Sequence, residues 1–219
     1  MPNWCSNVLI VEGPPDEVDA FVRKSEEQVF IDWENTYRDM IARARETRSI
    51  LEKLKLYVLA SRHKQENSSI GMFAAHYPPP DFVVTLGHSD FGYEWCFAEW
   101  GTEWDVEPIV TYDKGSSNAR FCFKSAWAPP IKWLEVVSQK WPHLRFTMGY
   151  YEPGMGSYGY TVFENGICTD GDSNETELHH DCLDEWLDKP IRNSEDFISS
   201  YQKTAATVQR RPVRSGTMV

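Results

Sequence analysis

Three groupings of residues have the types and spacing for chemistry. The first is aromatic. Between Phe91 and Pro130 the chain holds four of its nine tryptophans, Trp95, Trp100, Trp104 and Trp127. Together with Trp4, the indoles of Trp100, Trp104 and Trp127 have the makings of an exposed platform on which bases or a nucleoside would stack. Platforms of that kind carry Lys and Arg around them, whereas Glu99, Glu103, Asp105 and Glu107 crowd this stretch. The burial habit of Trp therefore favours a packed aromatic core, with Glu103 and Asp105 capping or pairing locally. The second grouping is basic: Arg43, Arg45 and Arg48 lie on a segment of helical spacing and offer a contact surface for phosphate or for an acidic partner.

The third grouping is metal-capable. Asp170-Gly-Asp172-Ser-Asn174-Glu175, with Asp181 twelfth, follows the ligand types of a calcium loop at positions one, three and five. Position six, which needs glycine, is Glu175, and position twelve holds the shorter Asp. A flexible acidic turn leading into a capped helix accounts for the run better, with Asn174 and Glu177 spaced as a capping box. His179, His180, Asp181 and Cys182 are adjacent, so on a helix they point in different directions and set up no converging zinc ligands. Glu152-Pro-Gly154-Met-Gly156 lacks the lysine and following helix of a phosphate loop and reads as a turn. The five cysteines are scattered without a CxxC pair, which points to reduced thiols rather than a disulfide framework. No His is placed beside any of them by spacing, so no nucleophile is assembled. No metal, cofactor or catalytic residue is assigned, and the reading leans away from an enzyme.

The elements that must position these residues follow from periodicity. Residues 3–11 alternate and are apolar on both faces, as a central strand should be. Gly13-Pro14-Pro15 ends it, and Asp16, Glu17, Val18, Phe21 and Val22 start an amphipathic helix. Residues 36–64 form a long helical insertion, and 65–81, with three consecutive prolines, a loop. A short helix over 93–100 ends at Gly101, and strands over 106–112 and 119–126 flank a polar, glycine-containing hairpin loop. Pro129-Pro130 initiate a helix over 131–140, with Leu134, Val137 and Trp141 inward. Strands over 144–151 and 158–164 follow, and Asn165-Gly166 turns the second into Ile167–Thr169. Helices over 176–188 and 194–201 close the folded part.

The order β-α-(insert)-β-β-α-β is the split βαβ pattern of an α+β, ferredoxin-like sandwich, an antiparallel sheet with helices on one face. The expected organisation is one domain over 1–202. Its core is 1–25 and 91–169, the helical insertion spans about 26–80, and C-terminal helices span 176–202. The basic tail 203–219 has little to bury and is expected to be disordered. A net charge of −11 hides a segregation: residues 36–64 carry +5 and the tail +4, leaving −20 on the remainder. That body should repel nucleic acid, while the inserted helix and the tail would attract it. No apolar run is long enough to cross a bilayer, and MPNWCSNVLIVEG lacks the build of a signal peptide. A cytoplasmic setting is the resulting expectation.

Five segments carry a family resemblance. They are MPNWCSN at the start, Trp100-Gly-Thr-Glu-Trp-Asp105, Ser125-Ala-Trp-Ala-Pro-Pro130, Tyr151-Glu-Pro-Gly-Met-Gly156 and Phe163-Glu-Asn-Gly166. Together, over residues 1–25 and 91–166, they resemble the YubB ferredoxin-like family, uncharacterised proteins of phages and plasmids. That family usually has Lys where this chain has Glu103, a reversed charge at its most distinctive position. The resemblance implies a ferredoxin-like fold and a mobile-element setting, and supplies no catalytic residue. The resulting expectation is an accessory protein that binds a host or element-encoded protein, with nucleic-acid or nucleotide binding as the alternative and an enzyme third.

Overall fold

The computed structural model describes residues 2–26, 29–30, 42–43, 45–46, 49–50, 69–80, 92–176 and 181–210. In chain order these form β1 (Trp4–Glu12), α1 (Pro15–Ser25), β2 (Val29–Phe30), β3 (Ser69–Ile70), α2 (Met72–His76) and α3 (Tyr93–Glu99). Next come β4 (Ile109–Tyr112), β5 (Asn118–Ala126), α4 (Ile131–Lys140), β6 (Arg145–Glu152), β7 (Ser157–Glu164), β8 (Ile167–Glu175), α5 (Asp181–Asp188) and α6 (Ser194–Arg210).

Strand β1 is apolar on both faces because both are covered. It pairs antiparallel with β5 on one side and β6 on the other, inside a sheet ordered β4-β5-β1-β6-β7-β8. The first four strands in that order, linked through α1 and α4, are the ferredoxin-like split βαβ arrangement; β7 and β8 extend it as a meander. Leu9, Val11, Phe121, Phe123, Phe146 and Met148 point to one face and pack under α1 and α4. Helix α1 starts at Pro15, whose missing N–H costs nothing there, and buries Val18, Phe21 and Val22. Helix α4 buries Trp133, Leu134 and Val137; Trp141, expected inward, is only half-buried, and Trp133 takes the deep position instead.

The sheet's other face is also covered. Val8, Ile10, Tyr151, Tyr158, Tyr160 and Val162 pack against Leu183, Trp186 and Leu187 of α5 and Phe197 and Tyr201 of α6. The C-terminal helices therefore turn a two-layer sandwich into three layers. Gly149 of β6 makes the close approach possible, since a Cβ there would come within 2.3 Å of the Phe197 ring. Arg120 donates to the Leu187 carbonyl at 2.5 Å and ties the end of α5 to β5.

Several local expectations change. Residues 72–76, expected in a loop, are a fully buried helix: the prolines begin only at Pro78, beyond its last turn. Strand β8 runs to Glu175, and Asn174 sits within it, bonded to Asp172 and Tyr201, so it is no N-cap. Helix α6 runs to Arg210 and buries Ala205 and Val208, so residues 203–210 are ordered helix rather than tail; 211–219 lie outside the described residues. Of the inserted segment, Arg43 and Arg45 are helical and exposed, while Arg48 lies outside the described residues.

Candidate functional site

The tryptophan-rich block divides into a buried half and an exposed half. Trp100 follows the last turn of α3, and Gly101, at φ +85°, turns the chain away from it. The Trp100 indole is buried, donates its N–H to the Tyr77 carbonyl at 3.0 Å, and lies edge-on to Phe73 and Trp95. The Thr102 hydroxyl donates to the Ala126 carbonyl at 2.8 Å, fastening the block to the end of β5. Asp105 accepts the backbone N–H groups of Phe73 at 2.7 Å and Ala74 at 2.9 Å, and so caps α2 from outside its own chain segment. Burial pushes its carboxyl up to about 6 in spite of those donors. Trp100 and Asp105 are thus both engaged within the fold, Asp105 capping locally as expected.

Trp104 faces outward. It is 38% exposed and meets Trp4, 47% exposed, with ring centroids 6.0 Å apart and planes tilted by 47°. Trp127, 42% exposed, sits at the same end of the sheet, immediately after β5. Its φ of +68° is unusual for a bulky residue and is held by two bonds: its N–H donates to the Asn3 carbonyl at 2.8 Å, and the Ser125 hydroxyl donates to the Ala128 carbonyl at 2.7 Å. Exposed Met155 tips the neighbouring β6–β7 turn, which the buried Glu152 carboxylate holds by accepting the N–H groups of Gly154 at 2.8 Å and Met155 at 2.6 Å. The sheet end therefore presents three large indoles and a thioether on rigid supports. The packed-core expectation holds for Trp100 and not for Trp4, Trp104 and Trp127. Replacing Trp104 with Ala is accordingly expected to change stability by about 1 kcal/mol or less, read from the denaturation midpoint.

Glu103 is almost buried, and its carboxylate beside the exposed Tyr93 hydroxyl raises that phenol's pKa. Glu94 and Glu107 nearby in the chain are exposed, and Glu99 accepts the Tyr77 hydroxyl at 2.7 Å. The surroundings on the α3 side are acidic. On the β5 side the exposed cation is Lys124, paired with Ser6.

Beneath the indoles lies a buried polar bed. The Asn7 amide donates to the Cys5 carbonyl at 2.9 Å and to the Ser125 hydroxyl at 2.8 Å. Burial pushes the Cys5 thiol up to about 12, and that of Cys96 likewise to about 12, so neither supplies a thiolate nucleophile at neutral pH. In β8, Tyr160 donates to Asp170 at 3.1 Å and Tyr201 to Asp172 at 3.0 Å. Asp170 thus links β8 to β7 and Asp172 fastens α6 to the sheet edge, along an extended strand that is not the wrapped shape of a calcium loop. Among the described residues no group of three His, Cys, Asp or Glu is placed to hold a metal ion.

Nothing in the sequence marked Tyr93 and Met155 as exposed, and the burial habit of Trp set aside the exposure of Trp4. Residue type favoured burial for the aromatics, and only the ends of β1, α3 and β6 decide otherwise.

Comparison with known proteins follows the fold. None of the curated proteins compared matches this sequence. The crystal structure of the protein api92 from Yersinia pseudotuberculosis superimposes with a TM-score of 0.55 at 14% identity, covering 82% of this chain and 100% of that one. At that identity the likeness is one of fold. Residues 99–189, from the end of α3 to just past α5, match the family model described as the ferredoxin-like domain in Api92-like protein.

Proposed function

We propose that the protein is a non-enzymatic accessory factor that binds a protein partner through the face formed by Trp4, Trp104 and Trp127. The observation that carries this reading is the exposure of three tryptophans, on rigid supports, at one end of the sheet. Exposed indoles on pre-ordered backbone make strong interface anchors, because they bury large area and lose little freedom on binding. The phage or plasmid setting suggested by the sequence resemblance makes a host protein or an element-encoded protein the natural partner. Among the described residues no helix is long and apolar enough to cross a membrane, and the five free thiols suit a reducing, cytoplasmic compartment.

Nucleic-acid binding is the second reading, supported by exposed Arg43 and Arg45. Two features weigh against its use of the sheet. Tyr151, Tyr158 and Tyr160 lie beneath α5 and α6, and the stretch of chain that carries Trp104 is rich in acid, at Glu94, Glu99, Glu103, Asp105 and Glu107.

Affinity capture from host lysate separates the readings. A specific partner retained by the wild type and lost by a Trp4→Ala/Trp104→Ala/Trp127→Ala variant of unchanged melting temperature is the expected result. Capture that is equal for both proteins, or nucleic acid recovered in place of protein and released by salt, overturns the proposal.

A further inference from the structure

We draw no further inference here: the strongest candidate, the exposed acidic strand β8 at the end of the sheet, carries nothing, because its Asp170 and Asp172 already accept the Tyr160 and Tyr201 hydroxyls and nothing in the structure shows what covers that edge.

Discussion

Replacing Trp186 with alanine is expected to lower stability by about 3–5 kcal/mol, in the range seen when a fully buried large aromatic is truncated. Its side chain is completely buried between the sheet and α6, 4.8 Å from Phe197 and 5.1 Å from Tyr201 between ring centroids. The adjoining strand contributes Gly149, whose missing side chain leaves room for that packing. The cost would register in chemical denaturation as a lower midpoint of the whole transition. Other bonds fasten this layer to the sheet: Thr147 donates to the Ser194 hydroxyl at 2.7 Å, and Ser194 in turn bonds Glu12. A separate, earlier transition for Trp186→Ala, with the main midpoint unmoved, would mean that α5 and α6 are a detachable appendage. Trp186→Phe is the control. It keeps the ring contacts and removes an indole N–H that has no partner among the described residues, so it should cost less than about 1.5 kcal/mol.

The second large effect is a pH dependence in which two groups around α2 oppose each other. The His76 ring is buried and stacked on Phe21 at 4.2 Å. Its Nδ1 accepts the Trp141 indole N–H at 3.3 Å, so Nε2 carries the proton and donates to the Ser25 hydroxyl at 2.9 Å. Burial first, and the charges of Lys24 and Lys140 after it, depress its pKa from 6.5 to about 3. The unfolded chain therefore binds a proton that the fold refuses. The stability from neutral His76 is complete above pH 6.5 and is lost as pH falls towards 3, on the order of 5 kcal/mol over the whole interval. Asp105, at the other end of the same helix, has the opposite sign. Burial raises it from 3.8 to about 6, so its contribution is complete below pH 3.8 and is lost as pH rises through 6.

Between pH 6 and 4 the two trends offset, and the wild-type melting temperature should change little there before dropping below 4. Asp105→Asn removes one side of the balance, so its melting temperature should decline steadily from about pH 6.5 downward. His76→Phe should show the reverse, a rise between pH 6 and 4. Parallel pH profiles for the wild type and both variants would remove these residues from the account.

Much of the framework was legible because it rests on local periodicity and turn chemistry. β1 shows itself by apolar residues on both faces, α1 by Pro15 and its spaced Val18, Phe21 and Val22, and the β7–β8 hairpin by Asn165-Gly166. The order of these elements was enough for the ferredoxin-like arrangement. Other features were hidden by the same local logic. Asp-Gly-Asp-Ser-Asn has turn-forming chemistry, yet it is held extended because each residue pairs with β7. Residues 203–210 offer only Ala205, Ala206 and Val208 as apolar residues, too little to show in sequence, but the sheet face beneath Ala205 and Val208 completes the helix.

What the sequence determined by itself was most of the inventory of elements, since helical and strand periods are properties of neighbouring residues; α2 and the end of α6 are the exceptions. Only the tertiary structure decided which surfaces those elements present. An amphipathic helix carries an apolar stripe but no label for the sheet face it covers, and α5 and α6 took the face opposite α1 and α4. The same holds for the tryptophans. Trp100 and Trp104 stand four residues apart in one block, and a turn at Gly101, the hydroxyl bond of Thr102 and the cap made by Asp105 send one indole into the core and leave the other facing water.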